Sequence, residues 1–410
     1  MYYFYWLPIG TDARVRGVPW TTLSIMLANL FVFALLHAVP GAEALAYRYA
    51  FKAGDPTIQT AIASLFIHAD PLHLIGNMAF LWVFGPPIES RIGPARYLIA
   101  YLACGWLSNL AQAAYIVAWL PEMNSIPIVG ASGCISGLMG IFLVRLYFAR
   151  LKFASLTMLF FQGTVKASRF TLPSIVGIGL WFALTTAYHL AEASPETAYV
   201  CHLAGFGFGA LFAWSMGLAP EGSLEHRLAR GAQYAARGEW FAALGEYEVY
   251  LGRAPRDPAV VAQMARIQRV THQETEAAAR FQEAIRLWLA RGDMREACDA
   301  YEEMKRLLGP VPLPASDLLR VARACEELGR PSDASRAYEA YGKHFPDREA
   351  AAVALLKSAE IESKSLNNPG RARYIYEEML RRPLKPDIER IVRERMERTE
   401  AALARQHGAA

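Results

Sequence analysis

Residues 20–38, WTTLSIMLANLFVFALLHA, hold no Asp, Glu, Lys or Arg, and five further apolar runs follow before residue 220. A hydrocarbon core about 30 Å thick is crossed by around 20 apolar residues in helix, because every backbone N–H and C=O must be satisfied within the segment. The runs lie near 20–38, 71–85, 96–118, 128–148, 172–190 and 199–217. They predict an all-α protein that opens with a bundle of six membrane-spanning helices. Charged residues make up roughly nine per cent of residues 1–220 and about a third of the remainder, so a soluble helical domain is expected to follow. The expected division is a membrane domain over 1–219, a cytoplasmic repeat domain over 220–400 and a frayed tail over 401–410.

Orientation follows from the loops. Arg14, Arg16, Arg91, Arg96, Arg150, Lys152, Lys166, Arg169, Arg227 and Arg230 fall on one side if the six runs span, whereas the opposite loops PEMNS and AEASPETA carry no Lys or Arg. Both termini are therefore expected in the cytoplasm of a multi-pass protein of the plasma (inner) membrane. The N-terminal MYYFYWLPIGTDARVR lacks the pattern of a cleavable signal, so the first helix is expected to stay. A net charge of +4 calls for no nucleic-acid partner. Five cysteines give no even framework, and Cys104, Cys134 and Cys201 lie in apolar runs, which reads as free packed thiols.

Polar side chains in a bilayer are costly and face the protein interior, so their depth matters. Ser132 is expected about a turn inside the outer end of the fourth helix, and His202 about a turn inside the outer end of the sixth. His73 and Asn77, four apart and hence on one helical face, enter from the same end of the second. Gly130, Gly133, Gly137 and Gly140 on one helix, and Gly205 and Gly209 on another, allow backbones to meet closely. A serine beside an imidazole is a nucleophile with its base. His73, Asn77 and the Ser132 amide are candidate donors to an oxyanion, and Gly130 leaves room for a substrate backbone. Taken singly, each group has a structural reading: GASG as a packing motif, His202 bonded to a carbonyl, Asn77 as interhelical glue.

The GASG around Ser132, the His68-x4-His73-x3-Asn77 of FIHADPLHLIGN, the Gly85-x3-Glu89-x3-Gly93 and the His202-x2-Gly205-x3-Gly209 occur in one order across roughly residues 15–218. Together they resemble the rhomboid family of intramembrane serine proteases. The resemblance implies a Ser132–His202 dyad without a third carboxylate, an oxyanion pocket from His73, Asn77 and the Ser132 amide, and transmembrane segments of other proteins as substrates. It also implies supporting roles for His68, for Glu89 at the cytoplasmic turn, and for Trp181 of GLWF at a substrate gate. Departures are Ser136, where the family commonly has an aromatic that supports the histidine ring, Cys201 in place of the usual alanine, and AYRYAF in place of the Trp-Arg pair of the first outer loop.

After Pro220 a spacing recurs: Gly238, Ala243, Tyr247 and Pro255; Gly292, Ala297 and Tyr301; Gly329, Ala334, Tyr338 and Pro346; Asn367, Ala372 and Tyr376. This resembles the tetratricopeptide repeat and implies stacked helix pairs with a surface for a peptide or protein partner; an irregular helical bundle with the same core is the other reading. No phosphate loop or metal spacing appears in this half, and no cofactor is expected. Two rivals to the protease remain: a catalytically silent rhomboid-like scaffold binding transmembrane clients, and a metal site from His68, His73, His202 and Asp70. The second lacks a His-Glu-x-x-His motif and leaves Ser132 without a task.

Overall fold

A computed structural model describes residues 2–159, 164–192 and 199–408. The chain divides into two compact units, Met1–His226 and Arg227–Ala410.

In the first unit, strand β1 (Tyr2–Thr11) precedes α1 (Trp20–Ala38), short α2 (Ala42–Tyr49) and α3 (Ile58–Ala63), then α4 (Pro71–Ile92), α5 (Pro94–Trp119) and α6 (Ser132–Arg145). Strands β2 (Arg150–Leu159) and β3 (Thr164–Pro173) come next, then α7 (Ser174–Glu192), α8 (Tyr199–Ser215) and α9 (Leu218–Ala236). Helices α1, α4, α5, α6, α7 and α8 fall on the six apolar runs. By length and composition Trp20–Ala38 is long and apolar enough to cross a membrane. The pair Tyr199–Ser215 and Leu218–Ala236, bent by 79° at its break, meets the same measure taken together, and Ser132–Arg145 and Ser174–Leu184 are shorter apolar helices.

The all-α expectation is corrected by a three-stranded antiparallel sheet in the order β1-β2-β3. The segment between the fourth and fifth runs reads as a basic loop because of Arg150, Lys152 and Arg169, yet it alternates. Leu151 and Phe153 are buried while Lys152 is exposed, the period of two that a strand requires. Phe153 stacks on Phe170 at 5.3 Å and Ser155 meets Ser168 across the strands at 2.7 Å. The fourth run also starts later than expected. Ile128 forms an isolated bridge with Phe51, Gly130 adopts φ +117, and helix begins only at Ser132. A positive φ suits glycine and halts a helix at that point.

The second, third and first helices are tied by Gly85, Glu89 and Gly93. A Cβ on Gly85 would lie 2.7 Å from Thr22 Cγ2 and from the Tyr97 hydroxyl, so only glycine lets α4 approach there. Glu89, 6% exposed, accepts from Thr21 N and Thr22 N at 2.8 Å and from the Thr22 hydroxyl at 2.7 Å. It thereby satisfies first-turn amides of α1 that no helical carbonyl reaches. Gly93, at φ +80, turns α4 directly into α5.

At the opposite end of α6, Arg145 pairs with Glu225 at 2.9 Å and Glu221 at 3.5 Å, while Arg91 pairs with Glu225 and donates to the carbonyls of Arg14 and Pro87. Both guanidinium side chains are only 9% exposed.

The second unit continues through α10 (Trp240–Leu251), α11 (Pro258–Val270), α12 (Glu274–Arg291), α13 (Met294–Leu308), α14 (Ala315–Glu327), α15 (Pro331–His344), α16 (Ala350–Lys364), α17 (Pro369–Leu380) and α18 (Pro386–Gly408). Helical backbone thus extends into the stretch expected to fray. The repeat signature has a local cause. Gly238, Gly292, Gly329 and Asn367 each sit between two helices at positive φ (76, 82, 69 and 49), and the alanine and tyrosine that follow each are buried. The long gap between the first two signatures holds another such turn at His272, φ 61, followed at the same offsets by fully buried Ala277 and Phe281. A histidine in place of glycine hid it from the spacing.

Candidate active site

The site is built from the outset of α4. Asp70 caps that helix, its Oδ1 accepting from Leu72 N at 2.8 Å and His73 N at 2.9 Å, with Pro71 preset for the first turn. This fixes His73 and Asn77 on one face, a turn apart. Gly130 lies against both: a Cβ there would sit 2.8 Å from His73 Nε2 and 3.6 Å from Asn77 Nδ2. The Gly130 amide is held by the Ser64 carbonyl at 2.9 Å.

Two residues later Ser132 is the first residue of α6, not a turn inside it. That correction has a chemical consequence. Amides of the first turn have no acceptor within the helix and carry the positive end of its dipole. The Ser132 amide is one of them, and the N-cap residue Ala131 supplies no side-chain cap.

His202 sits about a turn into α8, close to the expected depth. The α6 and α8 backbones meet through glycine. A Cβ on Gly205 would run into the Gly133 carbonyl, one on Gly140 into that of Phe206, and one on Gly209 would fall 2.6 Å from the Gly137 carbonyl carbon. Ser132 therefore adjoins Gly133 in a contact whose other side is Gly205, three residues from His202. Both Ser132 and His202 are partly exposed. The imidazole packs near Trp181, ring centroids 5.8 Å apart, and Trp181 in turn packs near Phe80 at 5.6 Å. Among the described residues His202 Nδ1 is buried without a hydrogen-bond partner.

Of the remaining candidates, His68 is 3% exposed, its ring edge-on to His73 at 5.1 Å, and neither of its nitrogens finds a partner among the described residues. Ser136 is 1% exposed and its hydroxyl is likewise unpartnered. Beside the site a pocket of about 600 Å³ is lined by Ile67, His68 and Ala69, by Pro127 and Val129, and by Tyr47 of α2. Among the described residues no three His, Cys, Asp or Glu gather as a metal ion would need. The expected outer loop 191–198 lies largely outside the described residues.

Sequence reasoning overlooked the buried polar face of α5. Gln112 Oε1 accepts from the Cys201 amide at 2.9 Å, and Asn109 Nδ2 donates to the Ala61 carbonyl at 3.0 Å and the Ser64 hydroxyl at 3.1 Å. These side chains seat the start of α8 and the loop that holds Gly130. The signal was present as the adjacent Ser108 and Asn109 with Gln112 about a turn later in the run 96–118.

The rhomboid domain family model matches residues 56–219. The chain is 26% identical over 222 residues to the rhomboid-like protein 11, chloroplastic, of Arabidopsis thaliana, covering 53% of this chain and 72% of that one. It is 33% identical over 87 residues to the putative rhomboid protease YdcA of Bacillus subtilis, covering 21% of this chain and 41% of that one. With the rhomboid protease GlpG of an Enterobacter species it shares 27% over 137 residues, 32% of this chain and 46% of the relative. The chain thus spans less than half the length of the latter two. A solved thermophilic TPR protein of Thermus thermophilus is 18% identical, with a TM-score of 0.19 over 43% of this chain and 99% of that one. With a family model matching residues 56–219 and relatives of that kind, this part of the chain is a rhomboid domain.

Proposed function

We propose that this chain is an intramembrane serine endopeptidase that cleaves transmembrane segments of other membrane proteins. Six helices cross the plasma (inner) membrane, both termini lie in the cytoplasm, and the site opens to the other side. Ser132 is the nucleophile. His202 takes its proton during attack on the scissile carbonyl and returns it to the leaving amine. The Ser132 amide, His73 and Asn77 donate to the oxyanion of the tetrahedral intermediate. Trp181, packed near the imidazole, orients it in place of a carboxylate, and Glu89 acts at a distance by fixing α1. The repeat unit binds a peptide or protein partner.

The observation that carries this reading is the convergence at Gly130, whose missing side chain is the space between His73, Asn77 and the open first turn of α6. Co-expression with a single-span model substrate tests it. Ser132→Ala abolishes cleavage while the protein remains in the membrane; a persistent product refutes the assignment. A second reading, a catalytically silent scaffold for transmembrane clients, draws support from Ser136, whose buried hydroxyl supports nothing among the described residues. A fluorophosphonate that labels wild type and not Ser132→Ala excludes the scaffold.

A further inference from the structure

Cys298 lies in α13 and Cys325 in α14, and neither side chain is exposed. Their sulfurs approach to 2.8 Å, the Cys325 thiol donating to the Cys298 sulfur. Unbonded carbon atoms, smaller than sulfur, rest about 3.5–4.0 Å apart. A disulfide needs about 2.05 Å, so the sulfurs have less than roughly 1 Å to close. The pair lies in the same buried core as Ala297, Val321 and Ala322, none of which is exposed.

We propose that Cys298 and Cys325 form an oxidative modification site that a hydroperoxide converts to a disulfide joining α13 to α14. The Cys298 sulfur attacks the peroxide oxygen, the O–O bond breaks, and water or an alcohol leaves with a proton. The resulting sulfenic acid is attacked by Cys325; the S–S bond forms, the S–O bond breaks, and water leaves with the second proton. The peroxide gains the two electrons that the thiols lose, and a dithiol reductant reverses the reaction. The hydrogen bond from Cys325 holds Cys298 below the ordinary thiol range, whereas making that bond, together with burial, pushes Cys325 above it. Cys298 is thus the first to react. Because both thiols are buried, the peroxide enters through local opening of the packing over the pair while the α13–α14 contact is kept, and the new bond then pins two neighbouring helices.

The test uses the full chain in detergent, treated with hydrogen peroxide, alkylated and digested without reduction. The expected product is a peptide pair joined through Cys298 and Cys325, reverting on reduction, with two of the five thiols lost to titration. In Cys298→Ser that pair is absent and Cys325 stays alkylatable. Wild-type protein in which both residues remain alkylatable after peroxide treatment overturns the proposal. So does Cys298 advancing to the sulfinic acid beside a free Cys325, or a cross-link to Cys104, Cys134 or Cys201.

Discussion

Alanine in place of glycine in a helix interior ordinarily stabilises by about 1 kcal/mol, and at Gly209 the opposite is expected. The added Cβ would stand 2.6 Å from the Gly137 carbonyl carbon and 2.7 Å from its Cα. These are backbone atoms and cannot rotate away. Relaxed carbon contacts lie at about 3.5–4.0 Å, so α6 and α8 must part by about 1 Å. Ser132 lies on one of those helices and His202 on the other, about two turns from Gly209. A misplacement of about 1 Å between reacting groups costs on the order of 100-fold in rate, and overpacking costs about 1–3 kcal/mol of stability. Gly207 provides the control on the same helix, since a Cβ there meets nothing within 4 Å. Purified Gly209→Ala should cleave a single-span substrate roughly 100-fold more slowly than Gly207→Ala. Its Ser132-dependent fluorophosphonate labelling should slow in parallel. Equal rates for the two variants, with both folded by thermal melting, would refute the claim that close approach of α6 and α8 assembles the site.

Gln112→Leu leaves the Cys201 amide buried without its acceptor, which should lower stability by about 1–3 kcal/mol; a melting temperature unchanged from wild type sinks that reading. Glu225→Gln removes the shared carboxylate of two nearly buried arginines and should destabilise the first unit by about 3 kcal/mol, seen as a lower melting temperature. Burial raises the Glu225 pKa, but the Arg91 hydrogen bond and the charges of Arg91 and Arg145 more than offset this, so the folded value lies below the usual carboxylate range. The stability from this ionisation is therefore fully present above about pH 4.3 and lost as pH falls through the lower folded value. A melting curve of Glu225→Gln that shows the same acid-side loss as wild type contradicts this. His272→Gly relieves a left-handed residue at φ 61 and should stabilise the second unit by about 0.5–1 kcal/mol in chemical denaturation, whereas a loss would mean the imidazole makes a compensating contact.

Much of the membrane half was legible because lipid makes its demands in sequence. Runs of apolar residues, spaced glycines and rare polar groups each answer to one constraint, and the helices fall on the runs. What escaped is instructive. The strands β2 and β3 were hidden by Arg150, Lys152 and Arg169, since a basic loop and a strand with one exposed face share the same composition. The start of α6 was misplaced because Ile128 and Val129 are as apolar as helix interior, and only Gly130, through its φ of +117, ends the extended segment. Gln112 and Asn109 were passed over because their partners are backbone groups of other elements, which no local pattern announces. In the repeat half the spacing of Ala and Tyr was visible and the turn at His272 was not. The left-handed conformation, not the glycine, is what recurs.

The position of Ser132 follows from how helix starts are treated in this unit. In a hydrocarbon setting an unpaired amide costs several kcal/mol, and three other starts, those of α1, α4 and α8, are closed by side chains. Glu89 from α4 covers the first turn of α1, Asp70 covers that of α4, and Gln112 from α5 covers the Cys201 amide in α8. Among the described residues no side chain accepts from the Ser132 amide, and the chain leading to it is glycine lying against His73 and Asn77. An uncapped helix start flanked by two further polar side chains is a site where negative charge is stabilised. In the proposed mechanism a hydroxyl at its first position is the group on which, and beside which, such charge develops during attack on a carbonyl. Capping the first turn from within would quench that field, so an open start at α6, beside His73 and Asn77, suits the role proposed for Ser132.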